Sequence, residues 1–328
     1  MRLVTFKAGA APRLGALIED DTHILDLAAA APDSPHLVSM QTLIESGTPG
    51  LDAARALVNA APHAARVPAG RATLLSPLPV PVQVRDFMCF EEHARQAGFN
   101  ASKFMAQDMP DPAASLAAIE KAGPQKPPKI WFEQPVYYKG NRFAIAGTGA
   151  DVIWPAYSKV MDYELEFAAI IGTGGVDIPA SQAHAHIFGY TIYNDFSARD
   201  AQFREMAGRL GPAKGKDFDG GTILGPCIVT ADEIPNPYDL AMTARVNGEI
   251  WTDGRSNTIQ WSFAQMIAHV SQGETIYPGE VFGSGTVGNG CGLESMRFLK
   301  DGDVVELSVE KIGTIRNRVL APHLRPGS

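Results

Sequence analysis

The stretch MDYELEFAAIIG, residues 161–172, decides how this chain is read. Its second half is apolar and ends in glycine, the composition of a β-strand buried on both faces. Its first half sets Asp162, Glu164 and Glu166 at every second position. Side chains two apart on a strand share a face and lie about 6–7 Å from one another. Three carboxylates therefore project together, while Tyr163, Leu165 and Phe167 take the other side. Like charges lined up at the entrance to a core have two explanations: a solvated outer face, or a cation held between them.

Outward from this stretch, the composition narrows the field. At 328 residues the chain is long enough for a large domain with a small one, or for two ordinary ones. Hydrophobic residues make up 45% and charged residues 20%, as in soluble globular proteins. The 28 basic and 36 acidic residues leave a formal charge of −8, and no basic run or basic amphipathic helix occurs. Nucleic acid and acidic membrane surfaces are thus not expected as partners. MRLVTFKAGA at the N-terminus lacks an apolar signal core, and no apolar run reaches the ~18 residues a bilayer span needs. Cys89, Cys227 and Cys291 are odd in number, widely spaced and free of any C-x-x-C pairing, which points to a reduced, cytoplasmic setting. The 32 glycines and 24 prolines imply many turns and a β-rich, α+β fold.

Residues 1–75 read as a small β-rich N-terminal domain. RLVTF and LGALIEDDTHILDL form short strands turning at Glu19–Asp21, and MQTLIESG and LDAARALVNAA form helices. The Pro-rich SPLPVPVQ, residues 76–83, suits neither helix nor sheet and marks a linker. Residues 84–328 form the second domain. It opens on an extended VRDFMC and a short helix, FEEHARQAG, closing near Gly98. Residues 99–135, rich in Ala, Pro, Lys and Met, read as an insertion or lid holding one helix, DPAASLAAIEKAG. Strand and turn signals follow: Asn247–Gly248 marks a hairpin, and SFAQMIAHVSQG marks an amphipathic helix.

Chemistry-bearing residues gather near the ends of these elements. Asp86 and His93 stand seven apart in RDFMCFEEH. Asp195 follows the strand-like IFGYTIYN and precedes Arg199 and Gln202 on a helix start. Lys216 sits in the loop GPAKGKDFDGG, and Thr286 in GSGTVGNGCG, where so many glycines imply close backbone approach. Singly, each has an ordinary explanation as an N-cap, a solvated charge or a plain loop. Together with the carboxylate trio they make an oxygen-rich site with a base and cations nearby.

In this order, RDFMCFEEHA, QPVYYKGN, DYELEFAAIIG, YNDFSARDAQ, GKDFDGGTILGP, GSGTVGNG and LKDGDVVELSVEKIGTIRNRV resemble the fumarylacetoacetate hydrolase superfamily over residues 84–319. The resemblance implies a mixed β-roll catalytic domain with peripheral helices, commonly a homodimer. It also implies a divalent-cation site built from Glu164, Glu166 and Asp195, with Asp86 as a further ligand. All-carboxylate ligation selects a hard ion, Mg²⁺ first with Mn²⁺ or Ca²⁺ as alternatives, over zinc. By the same matching His93 is a general base oriented by Glu294, with Glu91 and Glu92 open as alternatives. Lys216 and Arg199 offset the negative charge, Lys216 within the catalytic set. Tyr138, Arg199, Gln202 and Thr286 contact substrate. The implied reaction is hydrolysis of a carbon–carbon bond in a small anionic 2,4-diketo acid of the acylpyruvate, fumarylacetoacetate or fumarylpyruvate kind, in aromatic-compound catabolism. Decarboxylation, isomerisation or hydration of a 2-oxo acid on the same site is the alternative, and a catalytically silent binding protein the alternative of another class. The chain departs from the pattern where Met88 and Met206 stand for substrate-contacting tyrosines. A carboxylate-holding arginine also lacks a counterpart, Ser102 and its neighbour Lys103 standing closest by spacing. One side of the pocket is therefore expected to be apolar.

Overall fold

The computed structural model describes residues 1–325. Two sheets carry the fold. The larger runs, edge to edge, through Arg66–Pro68, His23–Asp26, Arg13–Ile18, Arg2–Lys7, Thr222–Thr230, Ile187–Asp195, Leu165–Ile171, Val281–Gly283, Val84–Phe87 and Tyr137–Gly140. Along this path every pairing is antiparallel except Val281–Gly283 beside Val84–Phe87, which is parallel. The second sheet orders Glu249–Arg255, Ala241–Val246, Val304–Val309, Gly313–Leu320 and Asp151–Ile153. This is the α+β architecture expected, with helices packed around the sheets.

The Leu165–Ile171 strand is buried throughout because it separates two apolar layers. Leu165, Phe167, Ala169 and Ile171 face the main core, where they join Leu307 and Ile315 of the second sheet. Ala168 and Ile170 face the other layer with Leu43, Ile44 and Ala54, from the helices Met40–Glu45 and Gly47–Ala60. Burial on both faces explains the continuous apolar run, since neither side has water to satisfy a polar residue.

Several sequence expectations need adjustment. MDYELEFAAIIG is not one strand: Met161–Asp162 pairs with Ser197–Ala198, and Glu164 forms an isolated bridge with Cys291 before the long strand begins at Leu165. None of its three carboxylates is solvated, Asp162 being fully buried. The helix expected to end at Gly98 runs on as Glu91–Ala106. The expected lid boundary at residue 99 thus falls mid-helix. Pro112–Ala122 is helical as expected, while Trp131, at the far end of the segment, is buried and donates from Nε1 to the Met88 carbonyl at 2.6 Å.

The N-terminal strands turn at Glu19–Asp21, where all three residues have positive φ. They extend the larger sheet: Arg2 and Leu3 register against Val229 and Ile228. Residues 75–83 contain no regular element. Cys89, Cys227 and Cys291 are free and buried. No helix among the described residues is long and apolar enough to cross a membrane.

Candidate metal centre and catalytic cavity

Sheet register builds the centre. Gly283 pairs with Asp86 on one side and Ala168 on the other, so the Asp86 and Glu166 side chains meet across its strand. Backbones two strands apart are about 9–10 Å from each other, and only a residue without a side chain leaves room between them. A Cβ at Gly283 would collide with Asp86 Oδ1. On the far side of Leu165–Ile171, Glu166 registers with Tyr193, which brings Asp195 to the same face two residues on.

Asp86, Glu166 and Asp195 each place an oxygen within 4.8 Å of the other two. Asp86 Oδ1, Glu166 Oε2 and Asp195 Oδ1 are buried without a hydrogen-bond partner among the described residues. Burial first, and the neighbouring carboxylates second, raise Asp86 and Glu166 well above the usual carboxylate range. Asp195 is raised mainly by burial, against the opposing pull of Lys216. Buried polar atoms in proteins are normally paired. Three clustered carboxylates, each with an oxygen left unpartnered by the protein, are the donor set a hard divalent cation takes.

Glu164 borders this point but is differently occupied. Its Oε2 accepts from Lys216 Nζ at 2.6 Å, and its Oε1 meets Arg199 Nη2 at 2.8 Å. Burial works to raise its pKa, but Lys216 and Arg199 prevail and hold it below the usual range. Lys216 Nζ also meets Asp195 Oδ2 at 2.5 Å. Tyr138 donates to the same Asp195 oxygen at 2.6 Å, and Thr286 donates to Glu166 Oε1 at 3.1 Å. Arg199 is committed to Asp162 through Nε at 2.9 Å and Nη2 at 2.7 Å, and donates from Nη1 to Gln202 at 3.0 Å.

Beside the carboxylates, the helix Glu91–Ala106 presents His93, whose Nδ1 lies 2.9 Å from Glu294 Oε1. Of the three carboxylates the sequence left open, Glu294 is the one in contact. Its Oε2 accepts from the Asn289 amide at 2.7 Å and its Oε1 from the Gly290 amide at 3.0 Å, so the carboxylate is fixed before it orients the ring. A base held by an anchored carboxylate is the arrangement general-base chemistry uses.

These residues, with Glu294 set behind His93, surround one cavity of about 400 Å³. Met88 and Met206 line it, as the departures from the family pattern led us to expect; Ser102 and Lys103 do not. Sequence reasoning gave Asp162 no role beyond its place in the carboxylate trio. It is an anchor: besides Arg199 it accepts from the amides of Gly292 at 2.7 Å and Leu293 at 2.8 Å, setting the turn that carries Glu294. Asn100 was also missed; its Nδ2 donates to the Leu293 and Glu294 carbonyls at 3.0 and 2.8 Å. Its signal was the seven-residue spacing from His93, two helical turns, hidden by ending the helix at Gly98. Cys291, buried 3.9 Å from His93 Nδ1, had no signal.

An acidic cation site at strand ends, flanked by a histidine–carboxylate pair, defines an enzyme-type centre for stabilising oxygen anions. The family model for the C-terminal domain of fumarylacetoacetate hydrolase matches residues 83–320, and the chain belongs to that family. It is 32% identical over 324 residues to the mitochondrial oxaloacetate tautomerase FAHD2A of Homo sapiens, covering 98% of this chain and 92% of the relative. The oxaloacetate tautomerase YisK of Bacillus subtilis is 33% identical over 191 residues, covering 57% of this chain and 62% of the relative. Among solved structures, the fumarylacetoacetate hydrolase of Exiguobacterium antarcticum superposes with a TM-score of 0.72 at 28% identity, covering 98% of this chain and 99% of that one.

Proposed function

We propose that this protein is a divalent-cation-dependent enzyme that interconverts the keto and enol forms of a small 2-oxo acid. The observation that carries the reading is the convergence of three unpartnered carboxylate oxygens beside His93–Glu294 in one cavity. The similarity to oxaloacetate tautomerases along nearly the whole chain moves tautomerisation ahead of the hydrolysis expected from sequence.

In this reading Asp86, Glu166 and Asp195 hold the cation, with Mg²⁺ or Mn²⁺ the natural occupants of an all-oxygen set. When bound, such an ion stabilises negative charge on substrate oxygens. Glu164 keeps Lys216 and Arg199 at the rim of the site, where their charge offsets the carboxylates. His93, oriented at Nδ1 by Glu294, takes the proton from C3 of the keto acid and returns it to the C2 oxygen to give the enol. Tyr138 holds Asp195, and Thr286 holds Glu166, so the ligand oxygens keep their aim. Gln202 and Phe203 line the cavity where the substrate would lie. A homodimer in a reducing compartment remains part of the proposal.

Hydrolysis of a 2,4-diketo acid is the second reading, favoured by the same anchored histidine, which is placed to deprotonate a water as well as a carbon acid. One assay separates the two. With Mg²⁺ or Mn²⁺ present, we expect accelerated loss of the enol absorbance of a 2-oxo monocarboxylate such as phenylpyruvate, and no acid released from acetylpyruvate. Cleavage of acetylpyruvate without any effect on enol decay would replace the first reading by the second.

A further inference from the structure

The cavity has two ends of opposite character. One is the carboxylate centre with Arg199 and Lys216. The other is walled by Met88, Val136, Phe203 and Met206, with Ala97 and Ala101 of the helix Glu91–Ala106. Phe203 belongs to a small apolar cluster with Ala97, Ala101 and Phe104, its ring 5.2 Å from that of Phe104. Gly98, on the same helix and in the same wall, has open space where a side chain would begin. The distal end is roomy, apolar and built.

The cations decide what that end accepts. Among the described residues the cavity lining holds two permanent cations, and both are spent. Arg199 is bonded to Asp162, Glu164 and Gln202, and Lys216 to Glu164 and Asp195. Arg204 and Arg209 are exposed and lie outside the lining. Four carboxylates face two cations in this wall, so a bound dication brings the local charge to balance and leaves no positive charge over. A second carboxylate on the substrate would lie against a half-open apolar wall with no cation to pair it, at a cost that the exposure of Met88 and Met206 moderates.

We propose that the distal chamber selects 2-oxo acids whose far end is uncharged and apolar, with Met88, Phe203 and Met206 as the specificity-determining residues, and disfavours 2-oxo dicarboxylates. This rests on the reading that the 2-oxo acid end lies at the carboxylate centre. It sets this chain apart from the substrate in its relatives' names while keeping their chemistry. Methionine suits the task because its unbranched, polarisable side chain adapts to chains of different shape. At 41% and 45% exposure, Met88 and Met206 can also be replaced without opening the core.

The test is titration calorimetry of the full-length chain saturated with Mn²⁺, against pyruvate, 2-oxobutanoate, 2-oxopentanoate, 2-oxohexanoate, oxaloacetate and 2-oxoglutarate. Affinity should rise about fourfold for each added methylene. Each dicarboxylate should bind about tenfold or more weakly than the monocarboxylate of similar length. Met206→Arg, which supplies a cation to the distal end, should reverse that order. A flat series, or oxaloacetate and 2-oxoglutarate binding more tightly than their monocarboxylate counterparts, overturns the proposal. If pyruvate and every longer acid fail to bind while Mn²⁺ does, the fault lies with the 2-oxo acid reading itself.

Discussion

The two ends of the cavity are made by different kinds of sequence. The carboxylate end is buried and over-determined: Asp86, Glu166 and Asp195 come from three strands of one sheet, and Tyr138 and Lys216 hold the second oxygen of Asp195 as Thr286 holds that of Glu166. The methionine end is half-open and rests on a helix and a loop, with Met206 at the helix end and Gly211 and Pro212 beyond it. A site whose reactive half sits on sheet register and whose selective half sits on adaptable side chains keeps its chemistry while its substrate changes.

The sharpest way to break this division is at the carboxylates. Glu166→Ala or Asp195→Ala should remove cation binding and activity together, because each opens the ligand set to water. Calorimetric titration of Mg²⁺ should show a loss larger than the ~10–100-fold caused by removing a supporting residue. Thr286→Val, which removes only such a support, should fall within that smaller range. Near-native Mg²⁺ affinity in both ligand variants would leave the three oxygens as a purely structural cluster.

His93→Asn comes next. It should slow enolisation by roughly 10²–10⁴-fold while Mg²⁺ binding is kept, since the base is no ligand. Steady-state rates together with a metal titration on the same preparation check this, and loss of both would merge base and cation into one unit.

Asp162→Asn tests whether the ends are mechanically joined. Asp162 is fully buried and bonded to Arg199 and to the turn carrying Glu294, so the change removes one of the two carboxylates paired with a buried guanidinium and loosens that turn. Chemical denaturation should show a loss of about 3–5 kcal/mol. An unchanged midpoint would mean that Arg199 finds Glu164 sufficient.

Dependence on pH follows from the raised carboxyls. Burial gives Asp86 and Glu166 a higher proton affinity in the folded chain than in the unfolded one. Without cation the folded state therefore binds more protons, and its stability falls as pH rises through their folded titration range. A cation needs these groups ionised, so its affinity rises with pH, by up to about tenfold per unit for each proton displaced. Thermal melts should show a larger Mg²⁺-induced shift at pH 8 than at pH 6, and an equal shift would contradict the linkage. The smallest effect belongs to the distal end: Met206→Ala should change stability by no more than about 0.5 kcal/mol, read by the same melts, and flatten the dependence of affinity on chain length.

Much of the carboxylate end was legible because strands report their faces locally. Period-two spacing exposed Glu164 and Glu166, the strand end located Asp195, and the Asp86–His93 interval joined ligand to base. The glycine-rich loop also announced itself, Gly283 being the residue that lets two carboxylates meet. Gly98 misled because an exposed helix pays only about 1 kcal/mol for an internal glycine, and packing of Ala97 and Ala101 against Phe203 outweighs that local cost.

What the sequence determined by itself was the α+β fold, written in local patterning, and, through the resemblance of its ordered motifs, the family and the acidic residues of the site. Only the tertiary structure decided the partners. Glu164 and Glu166 are identical and two residues apart. One is saturated by Lys216 and Arg199, which arrive from 52 and 35 positions further along the chain, and the other turns a free oxygen towards Asp86 and Asp195. The N-terminal strands likewise read as a unit of their own, yet hydrogen-bond into the same sheet through Arg2 and Leu3. Local spacing sets which way a side chain points; which charge or strand it meets there is fixed by long-range packing, and no window of neighbouring residues contains it.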